Sequence, residues 1–267
     1  MKGFFDNKTI KGRLDGTLPR TGELDPDSVG KAFGKMNEIT YKVPEIIKMR
    51  PPQMCQGCGH RDMYEALNEV LREYADSKVF GDIGCYTLGA VAPLSAIDST
   101  ICMGASVSSI HGFNKANGAE SENKTVCVIG DSTFMHSGMT GLANIAYNGS
   151  NSTVIIVDNS ITGMTGHQDN PTTGFTIRKE PTKQVDLELL CKAVGIDRVV
   201  IADPFDIKNF EKVVKEEVMA DEPSVIIAQR PCALLKTVKY TGHCKIGDKC
   251  KNCKMCMKLG CPAISEV

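Results

Sequence analysis

The chain is 267 residues long and 42% hydrophobic, enough for one large core with flanking tails, and its formal net charge of -1 offers no basic field for nucleic acid. No apolar run reaches bilayer length and Met1 to Arg13 is polar, so the sequence reads as a cytoplasmic protein without a membrane segment. Twelve cysteines in such a chain point to thiols or metal ligands rather than disulfides.

Residues 1–50 are rich in Lys, Asp, Gly and Pro with weak periodicity and read as an arm or linker. From Cys55 to about Gln229, short β-branched runs alternate with amphipathic stretches. Strands are expected at Lys78 to Phe80, Thr125 to Ile129, Thr153 to Val157, Val199 to Ala202 and Ser224 to Ala228. Helical spacing of apolar residues marks His60 to Tyr74, Ala105 to Ala116, Ser137 to Tyr147, Val185 to Val194 and Phe205 to Val218. This order predicts an α/β domain over residues 51–236, a mostly parallel sheet with helices on both faces. Residues 237–267 form a small tail of Lys, Cys and Gly, too poor in large apolar side chains to build a core.

The apolar run ending at Ile129 is followed by Gly130-Asp131-Ser132, and the one ending at Val157 by Asp158-Asn159. These tips fall at the C-terminal edge of neighbouring strands, where ligands bind in open parallel sheets. A carboxylate and an amide oxygen placed there suit a hard cation such as Mg2+, although alone either residue is as readily a turn or N-cap residue.

Gly130-Asp131-Ser132, followed after 25 residues by Asp158-Asn159, resembles the GDG and NN motif of thiamine diphosphate enzymes, with Ser132 in place of the last Gly and Asp158 in place of the first Asn. The run Ile161-Thr162-Gly163-Met164-Thr165-Gly166-His167-Gln168, with Asn170-Pro171-Thr172-Thr173-Gly174, resembles the YGMTGGQxSPTT segment of 2-oxoacid:ferredoxin oxidoreductases, with His167 replacing a glycine. Within that family, residues 81–86, 102–106 and 130–138 look most like the large subunit of indolepyruvate ferredoxin oxidoreductases. The resemblance runs from about Leu18 to Pro262 and implies a thiamine diphosphate-binding fold. It further implies that Asp131, Asn159 and the backbone carbonyl of Ile161 ligate Mg2+, with Gly130, Ser132, Thr133, Gly163 and Thr165 near the diphosphate. Thr162 and Met164 are expected against the body of the cofactor. His136, His167 and Thr162 are the candidates for catalysis, the histidines for substrate or proton handling, with a packed or merely hydrogen-bonding role for each histidine equally open.

Cys55-Gln56-Gly57-Cys58 is a C-x2-C pair at the start of an expected helix, Cys85 follows the first expected strand and Cys232 the last. Spacing alone admits a zinc site, a redox disulfide or a 4Fe-4S cluster. The resemblance selects a 4Fe-4S cluster on Cys55, Cys58, Cys85 and Cys232. Cys250, Cys253, Cys256 and Cys261, with Pro262, form C-x2-C-x2-C-x4-C-P, one residue longer in the last gap than the bacterial ferredoxin run. In such modules the fourth Cys serves the other cluster, so the tail reads as a ferredoxin module cut short, with Cys244 a less favoured substitute ligand.

The resemblance implies oxidative decarboxylation of a 2-oxoacid, indolepyruvate or another arylpyruvate, to acyl-CoA and CO2, with electrons passed through 4Fe-4S clusters to ferredoxin. The expected partners are a pyrimidine-domain chain or a missing N-terminal half, a small (gamma-type or beta) subunit, CoA and ferredoxin, in an oligomer. Alone, the chain is expected to be inactive. A non-redox thiamine diphosphate decarboxylase or synthase leaves the cysteines unexplained, and an iron-sulfur or zinc accessory module leaves residues 130–174 unexplained.

Overall fold

The computed structural model describes residues 7–35, 44–47, 51–118, 124–239 and 245–264, and Cys244 lies outside them. Two units, Met1–Pro51 and Pro52–Val267, each hold together internally. Where the sequence reads as an arm, the first unit contains one short helix, α1 (Pro26–Ala32). Asp25 starts it by accepting the Ser28 N–H at 2.6 Å, and Pro26 occupies the first turn, where a missing N–H costs nothing. None of its side chains is buried.

The second unit runs α2 (Gly59–Leu71), β1 (Lys78–Gly81), β2 (Ser99–Thr100), α3 (Ala105–Asn117), β3 (Thr125–Gly130), α4 (Asp131–Thr133), a π-helical turn (Phe134–Gly138), α5 (Met139–Asn148), β4 (Thr153–Asp158), α6 (Leu187–Ala193), β5 (Arg198–Ala202), α7 (Ile207–Val218) and β6 (Ser224–Gln229). The six strands form one sheet in the order β2-β1-β3-β4-β6-β5, and every pair in it is parallel. The five expected strands are present. The sixth, β2, has two residues, too few for any periodicity to show in the sequence.

Both faces of the sheet are covered, as an all-parallel sheet requires. Alternate side chains divide between two cores. Val126, Val128, Ile155, Val157, Ile226 and Ala228 pack with Tyr64 and Leu67 of α2 and Phe210 and Val214 of α7. Cys127, Ile129, Val154, Ile156, Val225 and Ile227 pack on the other face with Val107 and Ile110 of α3, Leu142 and Ile145 of α5 and Cys191 of α6. Strands β3 and β4 are buried along their whole length.

Helix boundaries move for identifiable reasons. Helix α6 begins at Leu187 rather than Val185 because the Asp186 carboxylate accepts the Leu189 N–H at 2.9 Å and caps it. The helix expected from Ser137 instead follows directly from the tip of β3, through α4 and the π-helical turn into α5. Helix α2 ends at Leu71, three residues before the expected Tyr74.

The cysteine-rich tail carries a 3-10 turn over Met255–Leu259. It is tied to α2 by Arg61, whose guanidinium donates to the Leu259 carbonyl at 2.8 Å and to the Met54 carbonyl at 3.2 Å. Gly260 lies so close to Pro93 that an added Cβ would stand 2.6 Å from its ring.

Ile155 is wholly buried at the centre of the sheet. Ile155→Ala is expected to destabilise the chain by about 2–5 kcal/mol in urea unfolding. A loss below about 1 kcal/mol would mean that this core is not packed as described.

Candidate functional site

Because the strands are parallel, their C-terminal ends share one edge, and the next residues of the chain build the site there. Asp82 and Cys85 follow β1, Asp131 follows β3, Asn159 follows β4, and Arg230 to Cys232 follow β6. Asp82 fixes the first of these loops. Fully buried, it accepts N–H bonds from Ile83 (2.8 Å), Gly104 (2.7 Å) and Ser106 (3.0 Å), so it also anchors the start of α3. Gly104 adopts φ +84° with its Cα against Ser137, a position that only glycine fills without strain or clash.

Gly130, Asp131, Ser132, Thr133, Asn159, Ile161, Thr162, Gly163, Met164 and Thr165 all line one cavity of about 80 Å³, together with residues 83–86, Met103 and Val157. Thr162 donates to the Ser132 hydroxyl at 2.9 Å, joining the loop after β4 to the tip of β3. Two main-chain bonds between Thr162 and Gln168, 3.0 and 3.2 Å, close the loop 162–168 on itself. Gly130 lies against Tyr86, where a Cβ would come within 2.5 Å of the ring. Tyr86 in turn donates to the Ile83 carbonyl (3.0 Å) and the Thr133 hydroxyl (3.2 Å).

Asp131 is 3% exposed. Its carboxylate accepts from the Ser132 N–H (2.7 Å), the Asn170 amide (3.3 Å) and the Thr172 hydroxyl (3.2 Å), all of them neutral donors. Burial pushes its carboxyl up to about 6, and the nearby Asp158 carboxylate adds to the push against those three donors. Two acidic side chains at adjacent strand tips, the deeper one supported only by neutral groups, suit a bound cation. The oxygen-rich donors match the preference of Mg2+.

A second cavity, of about 240 Å³, is lined by Cys55, Cys58, Cys85 and Cys232 with His60, His167, Leu88 and Arg230. Its wall is shared with the first cavity at Cys85, Asn159, Gly163 and Met164. Burial, opposed by the His60 N–H and aided by the charges of Cys55, Cys232 and Cys85, raises the Cys58 thiol to about 12. Such a thiol ionises only when a cation supplies the charge. Among the described residues no three His, Cys, Asp or Glu side chains gather closely enough to hold a metal ion.

The other candidates are placed differently. His136 is exposed, pairs its Nδ1 with the Ser137 hydroxyl at 2.9 Å and lines neither cavity. His167 faces the cysteine cavity rather than the Asp131 cavity. Cys250, Cys253 and Cys256 are exposed, Cys261 is half-buried, and the structure does not draw the four into a metal-holding group.

Residues 82–228, more than half of the chain, match the family model described as "Thiamine pyrophosphate enzyme, C-terminal TPP binding domain". The chain belongs to this family. It is 40% identical over 252 residues to a protein named indolepyruvate oxidoreductase subunit IorA from Thermococcus kodakarensis, covering 87% of this chain and 38% of that protein. It is 35% identical over 277 residues to the IorA of Archaeoglobus fulgidus, covering 96% of this chain and 43% of the relative. The chain thus spans about two fifths of the length of these relatives. A solved 2-oxoglutarate:ferredoxin oxidoreductase from Magnetococcus marinus superposes with a TM-score of 0.59 at 19% identity, over 73% of this chain and 69% of that one, a likeness of fold.

Several residues of this thiamine pyrophosphate enzyme domain escaped the sequence reading. Asn170 and Thr172, which hold Asp131, stood in the resembling segment but carried no sign of their target. Asp82 and Tyr86 likewise stood in a resembling segment, residues 81–86, without a sign of their role, and His60, outside the matched residues, had no signal beyond the neighbouring cysteines. The cost of keeping Asp131 charged yields a test. Its folded value lies above the ordinary 3.8, so the folded state holds this proton more tightly than the unfolded chain. The penalty is absent below about pH 4, grows with rising pH and is fully present above about pH 6. Asp131→Asn should therefore stabilise the metal-free chain at pH 8, by up to ~3 kcal/mol relative to its effect at pH 4. Urea unfolding at the two pH values checks this, and an equal effect at both would contradict it.

Proposed function

We infer that this chain is the thiamine diphosphate- and Mg2+-binding component of a 2-oxoacid:ferredoxin oxidoreductase. In this reading residues 51–236 are the cofactor domain and residues 237–267 a partial ferredoxin-like segment. The reaction is oxidative decarboxylation of the 2-oxoacid with CoA to acyl-CoA and CO2, and the electrons leave through a 4Fe-4S centre to ferredoxin. The names of the relatives favour indolepyruvate or another arylpyruvate as substrate.

The observation that carries this reading is the shared wall of the two cavities. The cavity lined by Asp131 and Asn159 and the cavity lined by four cysteines lie side by side with Cys85, Asn159, Gly163 and Met164 in the lining of both. A decarboxylase without redox chemistry has no use for that arrangement. Bound thiamine diphosphate would supply the carbanion that attacks the oxoacid and an electron sink, and a neighbouring cluster would accept electrons singly, as ferredoxin requires.

The chain's own residues have separable tasks. Asp131, the Asn159 amide and the Ile161 carbonyl would hold Mg2+, with Asn170 and Thr172 orienting the Asp131 carboxylate. Gly130, Ser132, Thr133, Gly163 and Thr165 would surround the diphosphate, where the close approach of Tyr86 to Gly130 leaves no room for a side chain. Thr162 and Met164 would lie against the cofactor body. Cys55, Cys58, Cys85 and Cys232 would hold the cluster.

A pyrimidine-domain partner, a small subunit, CoA and ferredoxin complete the proposed system. Calorimetry should show binding of thiamine diphosphate that depends on Mg2+ and is lost in Asp131→Asn. Anaerobic reconstitution should give about four irons per chain and a dithionite-reducible EPR signal, both lost in a Cys85→Ser, Cys232→Ser double variant. Cofactor binding without iron uptake would favour a non-redox thiamine diphosphate decarboxylase or synthase instead. Turnover of a 2-oxoacid by the isolated, reconstituted chain would refute the need for a partner.

A further inference from the structure

Two histidines on separate elements bring nitrogens without partners to the cysteine cavity. His60, in the first turn of α2, is 6% exposed, and among the described residues neither of its ring nitrogens has a hydrogen-bond partner. Its ring stands edge-on to Tyr86, with centroids 6.0 Å apart and planes at 88°, which fixes its orientation. His167, on the loop after β4, likewise has a buried Nε2 without a partner among the described residues. Buried polar atoms are nearly always satisfied, and each neutral imidazole has one N–H to donate, so two such rings beside one cavity call for acceptors within it.

The one cationic side chain on that wall is already engaged. Arg230 pairs with Asp203 at 2.8 Å and lies over the Phe205 ring at 3.8 Å. The remaining side-chain donors on the lining are the amides of Gln53 and Asn159 and the two imidazoles, and of these it is the imidazoles that carry buried nitrogens without a partner among the described residues. Cysteine thiolates and the inorganic sulfides of a cluster are acceptors in need of such N–H groups, and donors to sulfur stabilise the more negative, reduced state.

We propose that His60 and His167 donate hydrogen bonds to the sulfurs of a centre held by Cys55, Cys58, Cys85 and Cys232, and so raise its reduction potential. This rests on the cluster reading given above. It makes both histidines positioning and tuning residues for electron acceptance, and it moves His167 away from proton transfer to substrate. His167 occupies a backbone position at φ +62° that favours glycine, so a glycine there keeps the loop intact while removing the donor.

The test uses the full chain reconstituted anaerobically with iron and sulfide. Iron per chain and midpoint potential, from an EPR-monitored redox titration, are compared for the wild type, His60→Phe, His60→Gln, His167→Gly and the His60→Phe, His167→Gly double variant. The expected result is unchanged iron content. The double variant should show at least a tenfold shift toward the oxidised form at fixed potential, ~59 mV for a one-electron couple, with smaller shifts in the single variants. His60→Gln, which keeps an N–H, should recover part of the loss. Iron intact with the potential unmoved in the double variant would overturn the proposal and leave the cluster standing. Loss of iron in His167→Gly or His60→Gln would overturn it by making a histidine a ligand. Absence of iron in the wild type itself would remove the cluster reading on which the proposal rests. If His60→Phe does not fold, His60→Gln and His167→Gly, with folding checked by circular dichroism, decide the question.

Discussion

The site depends on the common direction of the strands. In a sheet whose pairs are all parallel, each chain segment leaves its strand at the same edge, so residues far apart in sequence emerge as neighbours. Asp82, Asp131, Asn159 and Cys232 occupy that edge because each comes within a few positions of a strand end, and the register sets their relative height. Gly81 lies opposite Val128, Gly130 opposite Val157, and Asp158 opposite Gln229. The cores on the two faces hold the strands in this register, since a slip by one residue would exchange the side chains of the two faces.

What the sheet delivers at this edge is electrostatically unfavourable in the chain by itself. Asp131 is buried against neutral donors and near a second carboxylate, and Cys58 is buried among three other thiols. His60 presents two nitrogens without a partner among the described residues. Each costs free energy in the unliganded chain, and each would be relieved by positive charge or by acceptors brought into the cavities. Stability is given up at the site and supplied by the cores, whose central strands are wholly buried.

Much of this was legible in the sequence. The alternation of β-branched runs with amphipathic stretches located five strands because a strand buried on both faces reads as a continuous apolar run. Asp131 and Asn159 were legible because they interrupt such runs abruptly. The two-residue β2 was not, having no room for a pattern, and neither was the early start of the helical run at Asp131, since Gly130-Asp131-Ser132 has the composition of a turn. The pairing of Asn170 and Thr172 with Asp131 depends on how the loop after β4 folds back, which local residue preferences do not encode. His60 looked like an ordinary first-turn residue, and only the fold shows that its buried ring has no partner among the described residues. The cysteines of the tail present the opposite case: their spacing is distinctive, while the structure leaves three of them exposed.

Asn159 has one further consequence. Its side chain caps its own loop, accepting the Ile161 N–H at 3.2 Å, while its main-chain carbonyl receives the Cys232 N–H at 2.9 Å. One residue is therefore part of both cavities, and the loop that carries Cys232 hangs from the backbone of the loop that carries Ile161. A ligand in one cavity that shifts Asn159 would therefore act on the other, and thermodynamic reciprocity would make that coupling equal in both directions. If both cavities take ligands, they would fill as linked equilibria, and the affinity of one would have no single value until the state of the other is specified.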